Sequence, residues 1–326
     1  MKKGLLMLGA AAMMLASCTQ NEVLEVSESR AIGFNGTGID NITRTDITST
    51  DFSQFYVYGG HNTSDLFQGT EVNKQDGSSW LYGPTQYWKV GEWKFGAYAP
   101  KAEGAITPEW SYGSGLTLTV NSDATHQNDV IYADATASVT DSDDDGTLEG
   151  TDQVSLNFNH LLSKLAFKFT KDPQSLGAMT VTMSNFQVAN ITTTGKWIAG
   201  EQQAVEDAAT GSYNDKAGVI DKDNGVQTAW FYVIPQQVSA FAITANVKVV
   251  NGAGDTIKEG TISASVPTTS ITAWSAQYQY LYSAQLSINQ INDPDNPNPQ
   301  PIEFTGSVSD TWESGTGDII ITTPQP

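Results

Sequence analysis

Hydrophobic and β-branched residues recur along the chain in short runs that alternate with polar positions, as in β-strands whose side chains point to opposite faces. The predicted strands are Phe55–Tyr58, Trp93–Tyr98, Leu116–Val120, Val154–Phe158, Leu165–Phe169, Met179–Phe186, Ala229–Ile234, Ala240–Val250, Thr261–Val266, Gln277–Ile288, Ile302–Val308 and Ile319–Thr322. Clusters of Gly, Asn, Asp and Pro separate them, which is the turn chemistry of antiparallel sheets. One short helix, without an apolar stripe, is predicted at Glu201–Ala209. The pattern predicts an all-β chain of β-sandwiches, with no exact internal repeat.

Two interruptions divide the predicted strands. Thr170–Ala178 (TKDPQSLGA) separates two strand sets, and Asn292–Pro301 (NDPDNPNPQP) has four prolines in ten residues and no apolar side chain, as in an extended, solvated spacer. A processed chain of about 300 residues suggests two domains of ordinary size. The predicted segments are a signal peptide 1–17, a propeptide 18–44, domains 45–172 and 173–291, a linker 292–301 and a detached C-terminal segment 302–326.

The N-terminus has the pattern of an export signal. Lys2 and Lys3 precede an apolar run, Leu5–Leu15, that is too short to span a bilayer. The run ends in Leu-Ala-Ser-Cys18, which resembles a bacterial lipobox and so implies cleavage before Cys18 and acylation of that residue, for example with palmitate. Cys18 is the single cysteine, so a disulfide within one chain and a cysteine metal site are excluded. The alternative is a free thiol in an ordinary signal peptide.

The composition is strongly acidic. Without Lys2 and Lys3 the chain has 14 cationic and 36 acidic residues, a net charge of −22. Such a chain repels nucleic acid and anionic membrane surfaces, so neither is expected as a partner. Hydrophobic residues make up 39% of the chain, enough for a substantial core rather than a disordered acidic tail.

Enzymatic chemistry has little support in the sequence. His61, His126 and His160 lie far apart without metal-ligand spacing, and there is no G-x-S-x-G, phosphate loop or dinucleotide fingerprint. His160 follows a predicted strand and is interpreted as a structural histidine. We expect no catalytic residues; a hydrolase with unidentified carboxylates is the remote alternative.

Aromatic residues are concentrated between positions 80 and 98. They are Trp80, Tyr82, Tyr87, Trp88, Trp93, Phe95 and Tyr98. Exposed tryptophans here could stack on sugar rings and form a glycan-binding face. However, the spacing of Trp93, Phe95 and Ala97 has the period of two that is typical of the inner face of a sandwich, so burial in the core is the favoured interpretation.

The acidic segment DSDDDGTLEGTD resembles a calcium-binding loop. Asp141, Asp143 and Asp145 occupy positions 1, 3 and 5, Gly146 is the sixth residue, and Glu149 and Asp152 stand at positions 9 and 12. Position 12 is Asp rather than the longer Glu, and no helices are predicted beside the loop. Calcium is therefore a candidate ligand, and a solvated acidic connection is the alternative; no cofactor is required otherwise.

The chain contains two arginines, Arg30 and Arg44, and they flank the strand candidate Ala31–Gly38. All other cations are lysines. The segment around Arg44, DNITRTD, is polar and turn-like, which is typical of a loop open to a protease. The two positions could also be a chance result of low arginine usage.

One longer segment, VSLNFNHLLSKLAFKF (Val154–Phe169), resembles the F-x-H-x-x-[SA]-[KR]-[LIV] motif of the Bacteroidales fimbrillin family. Further stretches resemble the same family in the same order; they are FSQFYVYGG (Phe52–Gly60), YWKVGEWKFGAYAP (Tyr87–Pro100), NDVIYA (Asn128–Ala133), FYVIPQQ (Phe231–Gln237) and WSAQYQYLYSAQL (Trp274–Leu286). The resemblance implies two tandem transthyretin-like sandwiches in a lipoprotein precursor. It also implies passage through the lipoprotein export machinery to the outer membrane and maturation into an extracellular type V pilus that serves cell adhesion.

The resemblance also implies how the subunit assembles. The removable first strand would be Ala31–Gly38, above all Ile32 and Phe34, and an arginine-specific protease would cut after Arg44. The vacated groove would then accept the C-terminal strand of the next pilin subunit in a homopolymer. The implied donor is Ile302–Val308, with Ile302, Phe304 and Val308 as its large side chains, continued by Ile319, Ile320 and Ile321.

Several alternatives remain at this stage. Cutting after Arg30 alone would retain the first strand and suit an anchoring or non-polymerising subunit. The C-terminal strands could instead fold back and complete their own domain. A stalk role is favoured because a tip subunit needs no donor, but the adhesion target, a glycan or another surface ligand, is not identified. The alternative function is a fixed surface lipoprotein that binds glycans through exposed aromatic residues.

Overall fold

The computed structural model describes residues 31–37, 52–75, 79–143, 146–150, 152–238, 241–266 and 271–309, together with the backbone of 319–321. Strands dominate these residues, which confirms the predicted all-β fold. The predicted pair of transthyretin-like sandwiches remains a prediction. No helix in the described ranges has the length and apolar character that crossing a membrane requires.

The strands follow one another along the chain with short connections. They are β1 Phe34–Thr37, β2 Gln54–His61, β3 Ser64–Lys74, β4 Trp80–Leu81, β5 Gly91–Ala99, β6 Ile106–Ser111, β7 Gly115–Asn121, β8 Ile131–Val139, β9 Val154–Asn157, β10 Asn159–His160, β11 Ser163–Lys171, β12 Thr180–Thr192, β13 Thr194–Ile198, β14 Glu201–Gln203, β15 Thr210–Asp215, β16 Val226–Gln227, β17 Phe231–Val233, β18 Gln236–Gln237, β19 Phe241–Val250, β20 Thr256–Val266, β21 Ala273–Trp274, β22 Gln279–Leu286, β23 Phe304–Ser309 and β24 Ile319–Ile321. A one-turn helix, α1, spans Pro173–Leu176, and a 3-10 turn spans Ile288–Gln290.

The N-terminal half is organised around an antiparallel sheet of order β10-β8-β5-β2-β3-β4. Successive side chains of β2 point to opposite faces of this sheet: Phe55 and Val57 enter one core cluster and Tyr56 enters another. The first cluster includes Ile32, Phe34 and the β9 side chains of Val154 and Leu156, and we call it the first-strand core. The second lies between this sheet and a four-stranded sheet of order β14-β13-β7-β6.

The C-terminal half contains two further sheets. One has the order β16-β11-β22-β23-β24, with β17 also beside β11, and the other has the order β15-β12-β19-β20. Apolar side chains from both sheets, including Phe167, Phe186 and Phe241, form a single buried cluster. We call it the C-terminal core.

The sheet pairings do not coincide with the predicted domain boundary between residues 172 and 173. Strand β11 precedes the predicted boundary, but it pairs with β22 over Lys164–Lys171 and contributes Leu165, Phe167 and Phe169 to the C-terminal core. Conversely, β13 and β14 follow the boundary yet extend the N-terminal β6–β7 sheet, and Trp197 packs there. The chain therefore crosses between the two halves more than once.

The predicted helix at Glu201–Ala209 is wrong. Glu201–Gln203 is strand β14, and turns follow it. All three residues of β14 are exposed, so they have no apolar side to reveal strand periodicity, and the pairing with β13 decides their structure. The helix that does occur, α1, begins at Pro173, and the Asp172 carboxylate accepts hydrogen bonds from the Gln174 and Ser175 backbone amides.

The linker predicted at Asn292–Pro301 is folded against the C-terminal half, so its interpretation as an extended spacer is wrong. Asn292 exchanges backbone hydrogen bonds with Thr261, and Lys258 pairs with Asp293 at 3.2 Å. The Asn296 side-chain amide donates to the carbonyls of Asn289 and Ile291. Polar side chains thus fold this segment through hydrogen bonds, without the apolar contacts that its composition lacks.

Candidate functional site

The segment that precedes and forms β1 fills a slot in the first-strand core. Ile32 is 2% exposed and Phe34 is fully buried. The Phe34 ring makes edge contacts with four aromatic rings; the ring centroids lie 6.3 Å from Phe55, 5.3 Å from Phe67, 5.4 Å from Tyr82 and 5.7 Å from Phe95. The two side chains predicted as the main contacts of the first strand are therefore central core residues of the intact chain.

The backbone of this segment is held from two sides. Strand β1 runs parallel to β9, with Phe34 beside Val154, and the Val154 and Phe158 amides donate to Gly33 and Thr37 at 2.8 and 2.9 Å. On the other side the Ile32 amide donates to the Gln86 carbonyl at 2.9 Å. Because these contacts involve main-chain atoms, they can hold a strand of a different sequence.

Tyr82 connects the two sides of the slot. Its hydroxyl donates to the Ile32 carbonyl at 2.8 Å and accepts from the Gln86 amide at 3.1 Å, while its ring packs against Phe34. Burial raises the pKa of this phenol above its ordinary value, so the hydroxyl remains a protonated donor throughout the physiological range.

We expect Tyr82→Phe to weaken the docking of the first strand. The change leaves the Ile32 carbonyl without this donor, which typically destabilises by about 1–3 kcal/mol. Faster hydrogen exchange of the Ile32 amide in the uncleaved chain would report this loss. Tyr87→Phe removes a hydroxyl from the same segment, on a side chain that is 50% exposed. Equal exchange rates in the two variants would contradict this role of Tyr82.

The third inward position of the first strand has no room for a side chain. Ile32, Phe34 and Gly36 share one face because they are two residues apart. A Cβ atom on Gly36 would lie 2.9 Å from the Phe52 ring and 3.3 Å from the Trp80 ring. The slot therefore accepts two large side chains followed by glycine.

The candidate donor segment is docked on its own C-terminal half. Strand β23 pairs with β22 from Phe304 to Ser309, and β24 pairs with β23 over Ile319–Ile321. Ile302 and Phe304 are 5% and 4% exposed in the C-terminal core, where the Phe304 ring lies 6.4 Å from Phe167 and 6.0 Å from Phe169. The expectation of a detached segment is wrong because these apolar residues complete the core. Val308 packs partly buried at the edge; its donor role and those of the isoleucines remain predictions.

The aromatic cluster between Trp80 and Tyr98 is mainly core. Five members are at most 6% exposed; they are Trp80, Trp88, Trp93, Phe95 and Tyr98. Tyr82 is partly buried, and Tyr87 is the exposed member at 50%. A single exposed tyrosine does not form the platform of stacked rings on which the glycan-binding alternative depends.

The three histidines make local structural contacts. The His160 imidazole pairs at 2.9 Å with Asp129, which is 2% exposed, in agreement with the interpretation of His160 as structural. His61 contacts the Val90 carbonyl, and His126 pairs with Asp123. Their different partners do not bring the three imidazoles into one site.

The acidic loop is partly outside the described residues. Asp145 lies outside the described residues. The Glu149 carboxylate accepts hydrogen bonds from Thr140 and from the backbone and side chain of Ser142. These bonds, the backbone amide of Ser142 first, lower the pKa of Glu149. Among the described residues, no three His, Asp or Glu side chains converge as metal ligands. Calcium at Asp141, Asp143, Asp145, Glu149 and Asp152 remains a prediction.

The predicted processing residues all precede β2. Cys18, Arg30 and Arg44 lie outside the described residues, so lipidation and cleavage rest on the sequence. The same holds for the side chains of Ile319, Ile320 and Ile321, of which the backbone alone is described. Lipidation at Cys18 and cleavage after Arg44 or Arg30 remain predictions.

Comparisons with known proteins agree with this architecture. A fimbrial protein from Bacteroides vulgatus is 14% identical with a TM-score of 0.60, and the match covers 87% of this chain and 99% of that one. A candidate cell adhesion protein from Bacteroides uniformis is 18% identical (TM-score 0.50; 86% and 98%), and one from Bacteroides eggerthii is 10% identical (0.52; 86% and 95%). At these identities the likeness shows a shared fold.

A family model gives the more specific result. No curated protein matches the sequence. The model of fimbrillin-like proteins, however, matches residues 40–297, from the segment before β2 to the segment before β23. Because this match covers most of the sequence, the chain belongs to the fimbrillin-like family.

Proposed function

We propose that this chain is a structural subunit, of the stalk class, of a type V pilus that serves cell adhesion. The precursor is exported as a lipoprotein acylated at Cys18 and reaches the cell surface at the outer membrane. An arginine-specific protease cuts after Arg44, which releases the subunit from its lipid and removes the first strand. The subunits then polymerise when the C-terminal strand of one copy enters the vacated slot of the next.

The observation that carries this proposal is the position of Ile32 and Phe34. Both side chains are almost fully buried in the first-strand core, and they lie in a short segment located 12 residues or less before Arg44. Its removal exposes an apolar slot and leaves the Val154 and Phe158 amides without their partners. Refilling the slot covers its apolar walls again and restores the backbone pairing.

Membership in the fimbrillin-like family supports a pilus-type adhesion subunit. The exchange proposed here joins two different surfaces. One is the slot that the first strand occupies, and the other is the C-terminal segment 302–326, which we call the tail. Such a contact is heterologous, so it extends into an open filament rather than closing into a dimer. The donor in the intact precursor is docked on its own half, and it must leave that position before it can enter a neighbour. Arg30 is the rival cleavage site, and a cut there alone retains the occupant of the slot.

Cleavage of the purified, non-lipidated precursor tests the proposal. Brief treatment with an arginine-specific protease should yield a species that begins at Thr45 and then a ladder of polymers. A lysine-specific protease is the matched control, because lysines are distributed through the body of the chain. Permanent monomers after complete cleavage at Arg44 would contradict the proposal and favour a fixed surface lipoprotein.

A further inference from the structure

Two segments at opposite ends of the chain share one pattern. Ile32–Thr37 reads IGFNGT and Ile302–Ser307 reads IEFTGS. Both have Ile, Phe and Gly at alternate positions, followed by a hydroxyl side chain. The match is spaced rather than continuous, with different residues at the positions between the shared ones.

The large residues have the same role in both segments. Ile32 and Phe34 are 2% and 0% exposed in the first-strand core, and Ile302 and Phe304 are 5% and 4% exposed in the C-terminal core. Each phenylalanine packs against other aromatic rings. Either segment therefore presents an isoleucine and a phenylalanine, two residues apart, to a buried slot.

The shared glycine also has the same role. A Cβ atom on Gly306 would lie 2.5 Å from the Ile271 side chain, as one on Gly36 would lie 2.9 Å from the Phe52 ring. In both docking sites a core side chain thus occupies the space beside the third inward position of the strand. An occupant with a side chain there would overpack the core.

The remaining residues of the Ile302–Ser307 segment are also compatible with docking in the slot of the first strand. The Thr37 hydroxyl donates to the Asn157 side chain at 2.6 Å, and Ser307 carries a hydroxyl at the equivalent position. A side chain in place of Gly33 would approach the Gln153 side chain at 2.9 Å, but Gln153 is exposed and can turn into solvent to admit Glu303. The outward position Asn35 corresponds to the exposed Thr305.

We propose that the slot selects its occupant by this pattern and fixes the register of exchange. Ile302, Phe304 and Gly306 of a second copy take the places of Ile32, Phe34 and Gly36, and the incoming strand runs parallel to β9. Gly36 and Gly306 are specificity-determining positions, since a side chain at this point of the slot would have to displace the Phe52 ring. This inference rests on the proposed strand exchange and adds its register and selectivity.

Cross-linking tests the register with substitutions outside the core. Asn35 lies beside Ser155 in the β1–β9 pair, so the proposal places Thr305 of the incoming copy beside Ser155. Adjacent strands lie about 4.8 Å apart, within disulfide range, whereas a shift of two residues moves a position by about 6.6 Å. Polymers of Ser155→Cys/Thr305→Cys should cross-link on oxidation. No native cysteine remains after cleavage, because Cys18 leaves with the propeptide.

The controls separate the register from the exchange itself. Ser155→Cys combined with Glu303→Cys or Ser307→Cys should cross-link at least tenfold less. Asn35→Cys/Ser155→Cys in an uncleaved chain that also carries Cys18→Ser should form an internal disulfide and calibrate the geometry. Polymers that cross-link preferentially through position 303 or 307, or through none, would overturn the register while leaving the proposed function intact. If wild-type chains do not polymerise at all, both proposals fall.

Gly306→Val tests the requirement for glycine at the third inward position, which we call the glycine rule. In the docked tail the valine meets Ile271, which favours release of the tail and by itself would speed polymerisation. In the slot it meets Phe52 and Trp80, so we expect polymer yield to fall by on the order of tenfold or more. Thr305→Val is the exposed control. A mixture of cleaved Gly306→Val chains with excess wild type controls for a misplaced variant tail. The slot of the variant is intact, so it should still accept wild-type tails. Normal polymerisation of Gly306→Val alone would overturn the rule.

Discussion

Arg44→Ala should abolish polymerisation, whereas Arg30→Ala should leave it unchanged. With Arg44 replaced, Arg30 is the single remaining arginine, so an arginine-specific protease either fails to cut or produces a chain that begins at Ala31. In both cases Ile32 and Phe34 stay in the slot and exclude an incoming strand. Immunoblots of the membrane and sheared surface fractions would check this, with polymers detected as a ladder after mild denaturation.

The two arginine variants distinguish the alternatives for maturation. Polymers formed by the Arg44→Ala chain would contradict the assignment of the scissile bond. Loss of polymers in Arg30→Ala with normal assembly in Arg44→Ala would indicate that Arg30 is the functional site. In that case the first strand would be retained, and the slot could not be the acceptor.

Phe34→Ala should strongly destabilise the precursor and have no effect on the assembled fibre. Phe34 is fully buried among four aromatic rings, and truncation of such a phenylalanine typically destabilises by about 3–5 kcal/mol. In the uncleaved chain, the Val154 and Phe158 amides, which donate to this strand, should exchange hydrogen much faster. After cleavage at Arg44 the substituted residue is gone, so fibres should dissociate at the wild-type rate.

Asn35→Ala provides the matched control for Phe34→Ala. Asn35 lies on the same strand but points away from the core, so its truncation should change amide exchange little. Similar effects of the two substitutions would contradict the central packing role of Phe34. An altered dissociation rate of Phe34→Ala fibres would mean that the first strand is retained in the polymer.

The docked tail has a consequence for assembly. Its Ile302 and Phe304 are buried before exchange, and in the proposed polymer they are buried again in a neighbour. Burial of these two side chains therefore changes little overall. The free energy that favours polymerisation comes mainly from the empty slot, whose apolar walls and unpaired amides are shielded only after a tail enters. Opening of the tail is a separate step that precedes insertion.

Much of the fold was accessible from local pattern. The alternation in Trp93–Tyr98 and Ala240–Val250 correctly indicated strands β5 and β19, and the period of two placed Trp93 and Phe95 in the core. Two of the strands that the pattern missed, β3 and β13, contain glycine and several polar residues. Their structure depends on pairing partners that are distant in sequence, such as β7 for β13.

The candidate site was predictable in part. Ile32 and Phe34 were identified through the family resemblance, and the structure places both in one core. The docking of the C-terminal segment corresponds to the less favoured alternative, because polar contacts such as Lys258 with Asp293 fold a linker whose composition is typical of a spacer. The shared pattern of the two terminal segments was present in the sequence. Its weight became clear when the surroundings of Gly36 and Gly306 explained the glycines.

The most direct test of the account is the N-terminal sequence of the subunit in fibres sheared from the cell surface. The account predicts that the chain begins at Thr45, so that Ile32 and Phe34 are absent from the assembled subunit. A fibre subunit that begins at Ala31 or at acylated Cys18 would still contain both residues. That result would contradict removal of the first strand, and with it the exchange that is proposed to build the pilus.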